Sequence, residues 1–161
     1  MFRVELLGGC RILDARTGLD AGFRTRKSRC VLALVLLSPD ATINREKLAS
    51  LLWDPAPEEL ARGSLRQSLK ELRIALGPSG ANAVSADRFS VSAVADVFDV
   101  DVLQLRRLLE LAPRDRAAAL KAAALWKGEL FGLDVPNAPV FEAWVQVERS
   151  QLLSLIHISE P

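Results

Sequence analysis

The chain has 161 residues, half apolar and a quarter charged, with a net charge of +1; this is globular composition, and the longest unbroken apolar run, Cys30–Leu37, is far below the ~20 residues a membrane helix needs. The N-terminus has no basic stretch leading into an apolar one, so no export signal is read, and Cys10 and Cys30, both in apolar surroundings, read as reduced core residues of a cytoplasmic protein. Residues 1–98 carry 14 Lys/Arg against 11 Asp/Glu, a balance of +3, and residues 99–161 carry 7 against 9, a balance of −2; the bias is compatible with a nucleic-acid partner and too weak to establish one.

In chain order, Phe2–Leu7 and Arg11–Ala15 alternate in part and flank Gly8-Gly9, which predicts two strands and a turn. A second turn at Thr17-Gly18 and Ala21-Gly22 leads to an expected short strand near Phe23. Apolar residues at helical spacing predict a first helix over Arg26–Leu37, stopped by Ser38-Pro39-Asp40. Thr42-Ile43 reads as a short strand, Asn44 as an N-cap, and Arg45–Trp53 as the second helix. After the loop Asp54–Pro57, a proline and two carboxylates open a third helix from Glu58 to about Leu76, ended by Gly77-Pro78. Ala83–Ala86 and Phe89–Ala93 around Asp87-Arg88 read as a hairpin. Beyond Asp99 the pattern is helical, over Val102–Leu111, Asp115–Trp126 and Val140–Leu152. Leu103, Leu105, Leu108 and Leu109, then Leu120, Ala124 and Leu125, supply the apolar stripes; Trp126 and Trp144 read as core aromatics and Arg149 as structural. The composition shift puts a domain boundary near Asp96–Asp99, dividing 1–97 from 98–152.

Strands, three helices and a hairpin are the order of a winged helix-turn-helix: an α+β fold with a small N-terminal sheet and a C-terminal wing, here followed by an all-α segment. At 100° per residue, Ala61, Leu65, Ser68, Leu69, Leu72 and Leu76 of the third helix gather on one side and must pack inward. Gly63, Arg66, Gln67, Lys70 and Ile74 fall on the other side, with Arg62 and Arg73 at a margin and Glu71 also facing out. Such a face suits a major groove: Arg66 and Gln67 can read base edges, Lys70, Arg62 and Arg73 can meet phosphates, and Gly63 lets the backbone come close. Arg88 at the hairpin turn suits a minor groove or phosphate, and Arg26 and Lys27, cations at the positive end of the first helix, invite an external anion. The same residues also fit a solvated face kept basic for solubility.

Several stretches resemble the SARP-type bacterial activators, whose N-terminal domain is similar to the OmpR/PhoB winged helix: Leu6-Leu7-Gly8, Arg26–Arg29, Asn44–Trp53 and Leu65–Gly77. Asp99–Asp101, Ala124–Leu130 and Trp144–Arg149 resemble the start of the bacterial transcriptional activation domain, a tetratricopeptide-like array. The resemblance spans residues 2–152. It implies that the third helix reads double-stranded DNA, that the hairpin is the wing, and that protomers bind direct repeats head to tail. It also implies that the loop bearing Asp54, Glu58 and Glu59 contacts RNA polymerase. The Asp87-Arg88 turn departs from the pattern in lacking a glycine and an aromatic residue.

Residues 153–161 match the translation of one frame of a common transposase-based sequencing adapter, so the native chain is expected to continue past about Leu152, with the lone His157 outside it and the array unable to close its own core. Glycine-rich nucleotide loops, metal-spaced Cys/His sets and a base-competent histidine are missing from the sequence, which argues for a regulator without cofactor, metal or membrane rather than an enzyme. The competing reading is a protein-interaction module of a larger signalling protein that does not contact DNA.

Overall fold

The computed structural model describes residues 1–159; Glu160 and Pro161, the end of the adapter-like segment, lie outside the described residues. Strand β1 (Phe2–Glu5) turns through Gly8 into antiparallel β2 (Arg11–Asp14). Period-2 alternation buries Phe2 and Val4 and exposes Arg3, the pattern of a sheet covered on one face. The chain then crosses as a loop, where Asp20 makes only an isolated bridge to Leu13. The short strand expected near Phe23 does not form; Phe23 is instead a buried loop anchor in the core.

Helix α1 (Arg26–Leu37) matches its expected span and is capped by the Thr25 hydroxyl, which accepts from the Ser28 amide at 3.1 Å. Its run from Cys30 to Leu36 is buried all round, so α1 is the central rod of the domain. Strand β3 (Thr42–Asn44) leads into α2 (Arg45–Trp53), with the Asn44 side chain accepting from the Lys47 amide at 3.0 Å as a single cap. Helix α3 (Glu58–Gly80) is regular to Leu76 and is broken at Gly77, whose φ of 73° is a left-handed conformation that glycine adopts without strain. Strands β4 (Val84–Ala86) and β5 (Ser90–Ala93) form the hairpin, and β3 adds to its β5 edge, giving the order β3-β5-β4.

Residues 98–100 belong to no element in the sequence reading, yet Phe98–Val100 forms β6, which pairs in parallel with β1 in register Phe2↔Phe98 and Val4↔Val100. The N-terminal sheet is therefore β2-β1-β6, and Phe2 stacks on Phe98 with ring centroids 5.8 Å apart. Helices α4 (Asp101–Leu111), α5 (Arg116–Leu125) and α6 (Pro139–Ser159) follow. Together these elements make a winged helix-turn-helix followed by the first helices of a tetratricopeptide-like array. The stripe expected on α5 is not the one buried: Ala118 and Ala122 pack inward while Leu120 is 64% exposed. In an alanine-rich helix the faces differ little in hydrophobicity, and close approach to α4 selects the small residues.

Three devices tie the helical half to the sheet. The Asp101 carboxylate accepts from the amides of Leu6 (2.9 Å), Leu7 (3.0 Å) and Val102 (2.7 Å). Burial pushes its pKa up, and those three amides pull it down in part. The loop after α5 runs against the first turn, with the Gly8 amide on Glu129 O (2.8 Å) and the Phe131 amide on Leu6 O (2.7 Å). A Cβ at Gly132 would stand 2.4 Å from Gly8 O, so the seam needs glycine there. Arg149 has the structural role expected of it, donating to Leu130 O and Gly132 O and pairing with Glu129 at 3.3 Å. Trp144 packs with Phe131 and Phe141 as a core aromatic.

Candidate nucleic-acid interface

The inner face of α3 is as its periodicity predicts: Ala61, Leu65, Ser68, Leu69, Leu72 and Leu76 are all buried, against α1 and α2. Burial of this inner stripe is what holds a helix whose other side is unsupported. On that other side Arg62, Arg66, Gln67, Lys70 and Ile74 are exposed, and Gly63 and Arg73 are half-buried. An added Cβ at Gly63 would meet nothing within 4 Å, so the helix backbone is open to a close visitor there. The helical half packs on β1 and α2 and leaves this face uncovered.

Two hollows run along the face. One, of about 480 Å³, is lined by Arg45, Gly63, Arg66, Gln67, Lys70 and Arg73. The other, of about 490 Å³, lies toward the wing tip and is lined by Arg45, Glu46, Arg62, Arg66, Arg88 and Phe89. Arg45 and Arg66 border both. The fold thus brings Arg88 of the wing beside the outer face of α3, far away in sequence.

The cations differ in how free they are. Among the described residues, the side chains of Arg66, Gln67, Lys70 and Arg73 make no hydrogen bond or ion pair. Arg62 is different: it pairs with Glu58 one turn earlier and with Glu46 at 3.6 Å. Its charge is already compensated within the protein. Glu71 does not stand among the outward cations as expected; it is half-buried and accepts from the Thr25 hydroxyl at 3.3 Å, turned toward the start of α1.

Arg26 and Lys27 lie apart from the wing, around a third hollow of about 470 Å³ shared with Trp53, Ser64, Gln67 and Glu71. The Lys27 ammonium stands 5.4 Å from the Trp53 ring centre, a cation–π contact that holds it at the end of α2. Gln67 borders both this hollow and the one holding Lys70, so the two sets of cations flank the same stretch of helix. Asp54, in the loop ahead of α3, and Glu58 and Glu59, in the first turn of α3, are all exposed, next to a Leu60 that is 64% exposed.

Arg45 borders both hollows, yet the sequence reading did not single it out. It opens α2, its backbone amide donates to Phe89 O at 2.7 Å, and its Nη1 donates to Asp87 O at 3.0 Å, so it fastens the wing tip to the helix pair. The signal was present: a cation in the first turn of a helix, unfavourable to the dipole, is the argument applied to Arg26 and Lys27. The hairpin turn also runs one residue further than expected. It comprises Asp87, Arg88 and Phe89, so an aromatic residue does stand at the tip. The Asp87 carboxylate accepts from the amides of Phe89 and Ser90, both at 2.7 Å, and these bonds hold its pKa below the usual carboxylate value.

No protein-family model matches the sequence and no curated protein matches it. Among solved structures the chain is similar to Mycobacterium tuberculosis EmbR, solved in complex with a low-affinity phosphopeptide. The TM-score is 0.73 at 19% identity, over 98% of this chain and 44% of EmbR. The chain thus spans less than half the length of that protein, and the likeness is one of architecture. Among the described residues no helix is long and apolar enough to cross a membrane, and no group of three or more His, Cys, Asp or Glu side chains is placed to hold a metal ion.

Proposed function

We propose that this chain is the DNA-binding part of a SARP-like transcriptional regulator, with the outer face of α3 in the major groove and the β4–β5 hairpin as wing. One observation carries the reading: Arg66, Gln67 and Lys70 are exposed on one helix face and free of internal partners, while every leucine of the inner stripe is turned away. Arg66 and Gln67 have the donor geometry for guanine and adenine edges. Lys70, Arg73, Arg45 and Arg88 line the adjoining hollows and meet the phosphates, with Arg26 and Lys27 on the far flank. Arg62 is a weaker phosphate ligand than its position in the helix suggests, because two carboxylates already hold it.

The resemblance to SARP-type activators extends the reading to head-to-tail pairs of protomers on direct repeats, and to RNA polymerase at the exposed acids Asp54, Glu58 and Glu59. The architecture shared with EmbR supports the same placement of a winged helix before a helical array. The test is to select duplexes from a random-sequence pool with the purified chain and titrate binding against every single-base change. Arg66→Ala is expected to cost roughly 1–3 kcal/mol and relax preference at one base position. A chain that enriches no duplex, or binds with no dependence on salt, is an interaction module and not a DNA reader.

A further inference from the structure

Composition changes near Asp96–Asp99, but the packing does not divide there. The buried core is one cluster, running from Phe2, Leu34 and Leu52 to Leu105, Phe141 and Leu152, and α6 packs on α2. The β1–β2 turn is where most bonds cross. The amides of Leu6 and Leu7 donate to the Asp101 carboxylate, the Gly8 amide to Glu129 O, and the Cys10 amide to the Asp134 carboxylate at 2.9 Å. All of these acceptors lie beyond Phe98. Few contacts cross between independent domains, where a turn finds its partners in its own hairpin or in water. The loop on the other side depends on the turn in the same way. Phe131 is buried with a φ of 65°, which a non-glycine residue holds only where its surroundings impose it. Here its amide donates to Leu6 O at 2.7 Å and its ring packs edge-on to Phe141, 5.3 Å between centroids. The loop takes its shape from the turn, and the turn takes its bonds from the loop.

We infer that the β1–β2 turn is a coupling element through which the winged helix and the helical half fold and open as one cooperative unit. Displacing the loop between α5 and α6 strands the amides of a turn whose Leu6, Leu7 and Cys10 side chains sit in the core shared with α1. Because α1 covers the inner face of α3, a partner that shifts this loop acts on α3 as well. The coupling stands whether or not α3 meets DNA.

The experiment uses the whole chain. Trp53 ends α2 and Trp144 lies in α6, so each half carries its own fluorescent reporter. Urea unfolding is followed in a chain with Trp126→Phe and Trp144→Phe, which reports from Trp53, and in one with Trp53→Phe and Trp126→Phe, which reports from Trp144. Asp134→Ala is then added to each. Trp144 and Trp53 should show one midpoint to within about 0.2 M when each is corrected by circular dichroism of its own chain. Asp134→Ala should lower both midpoints together by about 0.5–1 M, since it strands the Cys10 amide in the turn. Asp134→Asn keeps an acceptor oxygen and should lower both by less. Hydrogen exchange of the chain with all three tryptophans reads the same coupling if a tryptophan substitution prevents folding: amides of α1 and α4 should open together and lose protection equally in Asp134→Ala. Separate midpoints, or an Asp134→Ala effect that leaves Trp53 or α1 unmoved, overturns the coupling. Failure to select a duplex, with unfolding still coincident, removes the DNA-binding reading alone.

Discussion

If the free cations on the α3 face are what meet DNA, the salt dependence of binding follows from counting them. Arg26, Arg45, Lys70, Arg73 and Arg88 border the three hollows without a carboxylate partner among the described residues; Arg66 is assigned to a base edge and Lys27 is held over the Trp53 ring, so neither adds to the phosphate contacts, while Arg62 is neutralised by Glu58 and Glu46. Each phosphate contact contributes about −0.9 to the slope of log affinity against log salt, so these five residues give about −4.5, or a loss of about 500-fold between 50 and 200 mM salt. Lys70→Ala should flatten the slope to about −3.6, a loss of about 150-fold over the same range. Arg62→Ala should leave it unchanged, because that charge releases no counterion it does not already share with two acids. Electrophoretic or fluorescence-anisotropy titrations at four salt concentrations resolve the two cases. Equal flattening by Arg62→Ala and Lys70→Ala would refute the reasoning, and so would a parent slope shallower than about −2.

Two further outcomes concern the scaffold. Asp101→Ala strands the amides of the buried Leu6 and Leu7, at about 1–3 kcal/mol each, and partly relieves the cost of a buried carboxylate; urea unfolding should show a net loss of about 2–4 kcal/mol, and a loss below about 1 would mean water replaces the carboxylate. The amides of Phe89 and Ser90 hold the folded pKa of the Asp87 carboxyl below the ordinary aspartate value, so the order it gives the wing tip is fully present above that ordinary value and is lost as pH falls through the folded pKa. Amide exchange at Phe89 and Ser90 should therefore be flat from about pH 7 to 5 and accelerate, relative to other amides, only below about pH 4; loss of protection already at about pH 6 would rule Asp87 out as the cause.

The parts of this fold written in local chemistry were legible. Helices α1 and α2 start and stop where caps and breakers stand: Ser38-Pro39 ends one, and Asn44 begins the other. The inner stripe of α3 was readable because leucine and arginine differ sharply across one helix. What depends on a distant partner was not. The only sign of β6 is Phe98 and Val100 flanking an acid, and its pairing with Phe2 and Val4 joins the start of the chain to residues 98–100. The α5 stripe failed because alanine carries no contrast between faces. Gly8 read as a turn residue, while its crowding against Lys127 O, 2.8 Å from where a Cβ would sit, could only be seen once the later loop lay against it. At the interface, the outward set on α3 was visible in sequence, but Arg45, the compensation of Arg62 and the place of Phe89 at the tip all come from the meeting of α2, α3 and the hairpin.

That meeting point explains why the outer face of α3 can stay bare. Helix α3 needs its inner stripe covered to remain helical, since its exposed side contributes no packing and Gly63 costs the helix about 1 kcal/mol relative to alanine. Helices α1 and α2 supply that cover from one side, and α6 in turn seats on α2 from behind. The start of α2 also holds the hairpin through Arg45, by its amide on Phe89 O and its guanidinium on Asp87 O. One short helix is thus a common support of α3, the hairpin tip and the helical array. The relative placement of Arg66 and Phe89 is set by α2 together with the cover that α1 gives α3 and the β3–β5 pairing that holds the hairpin, so it is fixed before any partner arrives.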